Sequence, residues 1–283
     1  MKELILESLL DTAKVLPFLF ITFLIMEVIE HKLSDKGKEK ISKSGKFGPF
    51  FGSVLGAFPQ CGFSVMATNL YATRIVTIGT LIAIYLSTSD EMLPILISNG
   101  MPASMILKII LIKVIVGMLS GFAIDFIIRK TSRNKKEYEI KDFCLENHCH
   151  CEKSILKSVL KHTISVLLFI LLINYSLNLI IAILGKGTLE SILLKNTIFS
   201  PFLSSLIGLI PNCAASVLLT ELFLNGAITM SSLIAGLLSS SGVALDLLFK
   251  VNKNQKENFK ILFIIYLIGS FTGIVLEAIE LFV

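Results

Sequence analysis

The chain has 283 residues, of which 54% are hydrophobic and only 17% are charged. A soluble domain of this length needs about a quarter of its residues charged to cover its surface. This composition, with a mean hydropathy of +0.80, therefore excludes a soluble domain and indicates an integral membrane protein. The net charge is +5, and lysine and arginine gather in three loops, at 32–46, 129–157 and 250–260. They form either a patch for an anionic ligand or nucleic acid, or three loops that face the cytoplasm; the second interpretation accounts for all three, and we expect no nucleic-acid partner.

Long apolar runs predict membrane-crossing helices, since about 20 residues span a bilayer. In chain order they are Val15–Ile29, Ile75–Leu86, Ile106–Ile128, Val166–Leu184, Ala227–Leu238 and Ile261–Phe282. The first 14 residues carry Glu3, Glu7 and Asp11 rather than a basic region, and no small-residue cleavage site follows, so we expect no secretory signal. The sequence predicts a multi-pass protein of the plasma or inner membrane, with the lipid bilayer as a partner.

The stretch Pro49–Leu96 recurs without a gap as Pro201–Leu248, at an offset of 152 residues, and 19 of the 48 paired positions are identical. The matches include a proline, a cysteine and several hydroxyl residues. Exposure to lipid does not select such polar groups, because they cost energy in hydrocarbon unless they meet a partner. The chain is therefore predicted to contain two copies of one membrane module: a first repeat at 1–129, a cytoplasmic loop at 130–157 and a second repeat at 158–283.

Proline interrupts one apolar stretch in each repeat, at Pro59 within 48–73 and at Pro211 within 200–224. A proline inside a helix removes a hydrogen bond and clashes with the preceding turn. If both flanking loops of the first repeat are cytoplasmic, an even number of crossings must lie between them, so we predict that each broken stretch is a re-entrant hairpin of two half-helices. Each repeat then has three full crossings and one hairpin. The predicted fold is an all-α polytopic membrane protein with inverted-topology repeats and both termini outside.

Candidate binding residues lie at and just after the two breaks. They are Gln60, Cys61, Ser64 and Thr68 in the first repeat and Asn212, Cys213, Ser216, Thr220 and Glu221 in the second. Breaking a helix frees backbone groups, which are tolerated in a membrane only when they are buried in protein or line a watery cavity. The alternative is that the hydroxyls bond to nearby carbonyl groups and the cysteines are small packing residues. Their symmetric placement favours a binding site.

A second polar segment interrupts the next apolar helix. It contains Ser87, Ser89, Asp90 and Glu91, and its counterpart keeps Ser239 and Ser241 but has lost both acids. A carboxylate at membrane depth costs roughly 2.5–3.5 kcal/mol on insertion scales, so it marks an ion path or a proton relay. The alternative is that the two acids lie at the outer end of the helix and face water. Lys113, inside the span 103–128, is a candidate counter-charge, and Asp246 belongs to the same group of intramembrane charges.

The loop between the repeats concentrates metal-ligand residue types within eight positions: Cys144, His148, Cys149, His150 and Cys151. Thiolate and imidazole suit zinc, copper(I) and other soft or borderline metals, and a cytoplasmic loop keeps its thiols reduced. Adjacent ligands cannot all close one regular tetrahedron. The pattern therefore predicts a loose capture or sensing site rather than a structural zinc finger, with a solvated, metal-free loop as the alternative.

These motifs resemble a known family, the ten-segment heavy-metal exporters, whose members are described as arsenic or manganese efflux permeases. The resemblance rests on Phe58–Val65, Ile210–Val217, Tyr85–Glu91 and the Cys/His loop, and it covers nearly the whole chain. It implies that Cys61, Cys213, Asp90 and Glu91 occupy the family's motif positions. The second motif has Ala214 where the first has Gly62, so the two copies differ in their backbone near the break.

The resemblance and the repeat together predict a secondary transporter, not an enzyme, that exports a metal or metalloid ion in exchange for protons and requires no cofactor. No Walker motif is visible, so we expect no nucleotide hydrolysis in this chain. Alternatives are a transporter of arsenite, an organoarsenical or another small solute held by half-helix N-termini, and a membrane metal sensor. Gly52-x-x-x-Gly56 and Gly269-x-x-x-Gly273 predict close helix contacts, either within one chain or in a homo-oligomer.

Overall fold

The computed structural model describes residues 47–58, 61–89, 92–131 and 199–282, with single positions between 16 and 24 and between 160 and 175. In these ranges the secondary structure is α-helical. The helices are α1 (Gly48–Gly56), α2 (Cys61–Ala72), α3 (Ile78–Ser87), α4 (Met92–Ser98), α5 (Ala103–Thr131), α6 (Ser200–Gly208), α7 (Cys213–Leu224), α8 (Met230–Ser239), α9 (Ala244–Val251) and α10 (Gln255–Phe282). The predicted spans Val15–Ile29 and Val166–Leu184 lie largely outside the described residues.

The two halves have the same succession of helices at the offset found in the sequence. Helices α6, α7, α8, α9 and α10 each begin 152 residues after α1, α2, α3, α4 and α5. The repeat therefore continues through α5 and α10, beyond the stretch in which residue identity revealed it.

Four segments of the described chain are long and apolar enough to cross a membrane: Ile78–Ser98, Ala103–Lys130, Met230–Val251 and Gln255–Ile279. Two of them, formed by α3 with α4 and by α8 with α9, are 75% and 89% buried, whereas those of α5 and α10 are only 22% and 28% buried. The two broken helices are therefore central. Helices α5 and α10 lie outside them and direct rows of large apolar side chains outward, as lipid contact requires.

Helices α1 and α2 have 9 and 12 residues, and their lengths of about 14 and 18 Å are too short for a hydrocarbon core of about 30 Å. Gly48, at the start of α1, lies against Thr80, and Gly56, at its end, lies against Ile84 and Ser87. Helix α1 thus runs in the same direction as α3. The second repeat has the same arrangement, since Ser200 at the start of α6 bonds to Ser232 near the start of α8, and Gly208 at the end of α6 lies against Gly236.

Glycines hold the outer helices close to the central ones. A Cβ atom on Gly121 of α5 would lie 2.6 Å from the carbonyl oxygen of Gly79 and 2.8 Å from the Cβ of Pro49. Its counterpart Gly273 on α10 is in similar contact with Pro201. The Gly52 and Gly269 motifs both make such contacts inside the chain, so no second copy is needed to explain them.

The two halves also contact each other in reciprocal pairs. Helix α2 packs against α9, and its counterpart α7 packs against α4; α3 packs against its own counterpart, α8. An exchange of equivalent partners is what a pseudo-two-fold axis between the repeats produces. It brings the break between α3 and α4 and the break between α8 and α9 together in the centre of the protein.

Candidate functional site

The breaks of the two central helices meet at a narrow cavity. It contains about 180 Å³ of space between atoms, none of it wide enough for a water molecule, and is lined by Thr88, Ser89, Met92, Ser216, Leu237 and Ser240. Both repeats contribute, and four of these six residues carry hydroxyl groups. Each break follows an N-terminal half that ends in a serine, Ser87 in α3 and Ser239 in α8. The structure therefore brings together three segments that the sequence analysis singled out: the polar segment after α3, its counterpart after α8, and the start of α7.

The predicted hydroxyls around this cavity are buried and bond to carbonyl groups of the preceding turn, as the alternative interpretation of the sequence expected. Thr68 donates to Ser64 O at 2.7 Å, Thr220 to Ser216 O at 2.7 Å, and Ser216 to Cys213 O at 2.8 Å. Ser87 and Ser239 make the same kind of bond in their own helices. A hydroxyl that donates in this way keeps two lone pairs. It remains able to accept a hydrogen bond or to coordinate a cation.

One residue outside the predicted set joins the repeats beside the cavity. The hydroxyl of Tyr85 lies 2.6 Å from Thr68 Oγ1 and donates to the carbonyl oxygen of Ala244 at 3.1 Å. Tyr85 is fully buried, and its counterpart in the second repeat is Leu237. A polar ring within an otherwise apolar span was the weak signal for it in the sequence. The bridge connects α2, α3 and α9 and so holds α2 and α3 against the second repeat.

Replacing Tyr85 with Phe is expected to lower the free energy of unfolding by about 1–2 kcal/mol, because the Ala244 carbonyl would lose a buried partner. The measurement is an unfolding titration in mixed micelles. Tyr266→Phe on the outer helix α10 is the matched control and should change stability little. Equal losses from both variants would contradict the bridge.

The cysteines after the two prolines begin the second half-helices. Cys61 is the first residue of α2 and Cys213 the first of α7, where Cys213 is buried with 5% exposure. Asn212 caps α7, since its side-chain oxygen accepts from Ala214 N at 3.2 Å. This capping role satisfies one N–H of the helix start. The side chain of Cys61, and all of Gln60, Asp90 and Glu91, lie outside what the structure describes, as do Cys144, His148, Cys149, His150 and Cys151.

Lys113 places a positive charge at the break between α3 and α4. Its side chain is 1% exposed, and Nζ donates to the carbonyl oxygen of Thr88, directly after α3. The carbonyl groups at a helix C-terminus carry partial negative charge and favour cations. The ammonium group therefore acts as a cation tethered at the break, in addition to any pairing with acids outside the described residues.

Comparison with known proteins identifies the class. A family profile described as "Putative, 10TM heavy-metal exporter" matches residues 1–176 and 135–257, which together extend over most of the chain. The chain belongs to this family, ArsP_2. Membership confirms the resemblance seen in the sequence and assigns the chain to multi-pass membrane transporters for heavy-metal efflux, which are not an enzyme class. No curated protein and no solved structure matches the chain.

In this ArsP_2 member, a pair of acids escaped the sequence analysis although the repeat contains the signal. Asp125 on α5 accepts a hydrogen bond from Thr77 Oγ1 at 2.7 Å and one from Gly79 N at 3.0 Å. Its counterpart Glu277 on α10 accepts from Thr229 Oγ1 at 3.0 Å. Extending the 152-residue offset past Leu96 would have revealed the pair. Each acid lies at the N-terminus of a central half-helix, where negative charge is favourable.

A charged cluster joins the repeats at one end of the protein. Arg74 makes two hydrogen bonds of 2.8 Å to Glu257, one to each carboxylate oxygen, and its guanidinium lies 5.1 Å from the ring centre of Tyr71. Tyr71 also donates to Glu257. Hydrogen bonding to Glu257 raises the pKa of Arg74 above its usual value, so the group stays charged. Arg74 has φ of 63°, and its counterpart Gly226 has φ of 70°.

Some buried polar atoms in the described part of the chain have no hydrogen-bond partner. They are both side-chain amide atoms of Asn69, Oδ2 of Asp246, and the hydroxyls of Ser204, Ser241 and Ser270. In the same part, no three His, Cys, Asp or Glu residues come together as metal ligands. The candidate site, as far as it is described, is built from hydroxyl and amide groups together with a buried thiol.

Proposed function

We propose that this chain is a secondary-active transporter that exports a heavy-metal or metalloid ion from the cytoplasm across the plasma or inner membrane. The observation that carries the proposal is the cavity between the two helix breaks, lined by hydroxyls from both repeats at the centre of the most buried spans. Discontinuous helices that meet at a repeat interface are where transporters bind their substrates. Family membership supports the same class of activity.

An inverted relation between the repeats is part of the proposal. The Arg74–Glu257 pair joins the loop after α2 to the start of α10, next to the lysine-rich loop 250–260 that the positive-inside rule places in the cytoplasm. Gly226, the counterpart of Arg74, carries no charge, as expected for the opposite face. This asymmetry supports cytoplasmic placement of the first loop and outside placement of the second, with the chain termini outside.

Re-entrant hairpins are a second part of the proposal. Helix α1 runs parallel to the first half of α3 and ends beside its break, and α2 leads back to Thr77, at the start of α3. A segment that starts and finishes at the same end of α3, in two pieces too short to cross, fits a hairpin that enters and leaves by one face. The second hairpin, α6 with α7, would enter from the other face.

In the proposed cycle, the loop with Cys144, His148, Cys149, His150 and Cys151 collects the ion in the cytoplasm. The ion then binds between the hairpins, where Cys61 and Cys213 supply thiols and the surrounding amide and hydroxyl residues supply oxygen ligands. These residues are Gln60, Ser64, Thr68, Ser87, Ser89, Asn212, Ser216, Thr220, Ser239 and Ser241. Asp90, Glu91 and Glu221 exchange the ion for protons, since carboxylates at membrane depth serve in proton relays.

Arsenite or an organoarsenical is the second candidate substrate. The buried thiol of Cys213, at the first position of α7, combines a soft ligand with a helix N-terminus. Trivalent arsenic accepts thiolate ligands as readily as a soft divalent metal does, and the helix end favours an anionic form. A metal sensor, in contrast, would depend on the Cys/His loop and not on the hairpins.

The test is uptake of manganese, zinc, copper and arsenite into everted membrane vesicles that contain the wild-type chain, with and without an imposed pH gradient. Substrate-specific uptake that depends on the gradient is expected. The Cys61→Ala/Cys213→Ala variant should reduce it to a tenth or less, because the soft ligands would be lost.

A variant with the loop residues Cys144–Cys151 replaced by serine and glycine is the comparison. It should keep most of the uptake at saturating metal, since the loop only collects the ion. Folded wild-type protein that takes up no member of the panel above empty vesicles would refute the export proposal. Loss of uptake in the loop variant with full uptake in the cysteine variant would refute the thiol ligands at the hairpins and move the essential metal site to the Cys/His loop.

A further inference from the structure

Three polar side chains with unused hydrogen-bonding atoms lie on segments that pack together. Asn69, on α2, is fully buried, and neither its Oδ1 nor its Nδ2 has a partner among the described residues. Ser241, in the break before α9, is 1% exposed, and its hydroxyl also lacks a partner in that part of the chain. Asp246, in the first turn of α9, has an equally unpartnered Oδ2. Helix α2, which carries Asn69, packs against α9, which carries Asp246, and Ser241 lies three residues before the start of α9.

Buried polar groups without a partner are rare in folded proteins. Each leaves a desolvated polar atom without a hydrogen bond, which costs about 1–3 kcal/mol. Native structures tolerate them where an ordered water or an ion supplies the missing partner. The groups here offer an amide oxygen, a hydroxyl oxygen and a carboxylate oxygen. Oxygen ligands of this kind are those that hard cations prefer.

The first repeat carries a positive charge at its own break, between α3 and α4. There Lys113 Nζ donates to the carbonyl of Thr88, so an ammonium group occupies the break, and Ser89, the counterpart of Ser241, bonds to a carbonyl of its own segment at 3.1 Å. In the second repeat the counterpart of Lys113 is Ile265, which is fully buried and carries no charge.

The charges of the two repeats therefore differ in a specific way. The second repeat has lost the tethered ammonium, and it has gained a carboxylate, Asp246, where the first repeat has Pro94. A carboxylate at membrane depth is costly without a partner, and Oδ2 of Asp246 has none among the described residues. An external cation would restore at the second break the positive charge that Lys113 provides at the first.

We propose that the α2–α9 interface binds a monovalent hard cation of the sodium type through Asn69, Ser241 and Asp246. One carboxylate balances one positive charge, whereas a divalent ion would leave an uncompensated charge in a medium of low dielectric constant. The ion joins α2 of the first repeat to the break in the second, so its binding and release are coupled to movement between them. This inference rests on the proposed function, to which it adds a coupling cation other than the proton.

The experiment measures the thermal stability of the purified full-length chain in detergent as sodium replaces choline at constant ionic strength. Sodium is expected to raise the melting temperature by roughly 5 °C at saturation. Asp246→Asn and Ser241→Ala should each abolish the shift. Ser270→Ala, which alters another buried hydroxyl without a partner in the described chain, is the matched control and should keep it.

Equilibrium binding of radioactive sodium to the folded fraction of each variant gives a second readout that does not depend on stability. Binding to wild type and control with at least tenfold weaker binding to Ser241→Ala and Asn69→Leu would support the site. Absence of a sodium effect on wild type, an unchanged effect in Asp246→Asn, or stabilisation by manganese or calcium but not by sodium would overturn it. Metal export without a sodium response would refute this inference alone; a sodium response without export of any panel member would refute the proposed function.

Discussion

Glu257→Gln is expected to lower the free energy of unfolding by about 2 kcal/mol, because Arg74 would lose its charged partner while remaining largely shielded from water. Removing one partner of a fully buried ion pair costs about 3–5 kcal/mol, and the pair here is 18% and 20% exposed, so a smaller loss follows. The bidentate geometry makes the pair stronger than an ordinary surface contact. Unfolding titrations in mixed micelles would measure the loss.

Arg74 itself provides the control, because its backbone is in the left-handed region that favours glycine. Arg74→Gly and Arg74→Ala both remove the ion pair, but only the glycine also relieves the strain of about 1 kcal/mol. We therefore expect Arg74→Ala to be less stable than Arg74→Gly by about that amount, the reverse of the order inside a helix. Equal stabilities of the two variants would show that the conformation at position 74 carries no strain.

The Arg74–Glu257 pair also bears on the transport cycle. It connects α10 of the second repeat to the loop that follows α2 in the first, at the end of the protein that we place in the cytoplasm. If the repeats rock against each other to open this face, the pair must separate. The left-handed conformation of Arg74 accompanies a guanidinium that bonds to Glu257 of the other repeat. This ion pair would explain why a residue other than glycine occupies the position.

The sequence predicted the class, the repeat and the central breaks because these depend on composition and on local residue types. Runs of apolar residues locate spans without any knowledge of tertiary contacts. The offset of 152 residues located both prolines that interrupt apolar stretches, and the same offset places every helix that the structure describes in the second half. Ser87 and Ser239 could be expected at the ends of half-helices because hydroxyls concentrate there.

The bridging residues could not be predicted in the same way, because each depends on a contact between distant parts of the chain. Tyr85 reaches Ala244, and Arg74 reaches Glu257, across 159 and 183 positions. No local pattern encodes such a pairing, and neither Tyr85 nor Arg74 is repeated in the second half. Asp125 is the instructive exception. Its counterpart Glu277 differs in residue type, so a search for identities stopped before reaching it.

The unpartnered Asn69 illustrates a further limit of sequence reasoning. An asparagine next to a polar helix face is ordinary in a sequence, and only the packing of α2 against α9 shows that it is buried. Its counterpart, Glu221, has a different charge. The two repeats have thus kept their helices while their polar groups diverged.

The second large effect is expected at Gly121, where three helices of the first repeat meet. A Cβ atom there would lie 2.6 Å from the Gly79 carbonyl oxygen and 2.9 Å from the Cβ of Ala83, and backbone atoms cannot yield as a flexible side chain can. Gly121→Ala should lower the free energy of unfolding by about 2 kcal/mol, since overpacking of about 3 kcal/mol exceeds the gain of about 1 kcal/mol in helix propensity. Gly121→Leu should yield no folded, monodisperse protein in size-exclusion chromatography.

Gly226→Ala separates crowding from backbone strain, because no atom lies within 4 Å of its added Cβ while its φ is positive. It should lose only about 1 kcal/mol and remain monodisperse. Gly273→Ala, the counterpart of Gly121→Ala, should lose about as much as Gly121→Ala, because its Cβ would lie 2.6 and 2.7 Å from side chains on the two neighbouring helices. A folded Gly121→Leu variant with wild-type stability would mean that α5 does not pack against α1 and α3 at this distance. Packing of α5 would then not hold α1 and α3 in place beside the break between α3 and α4.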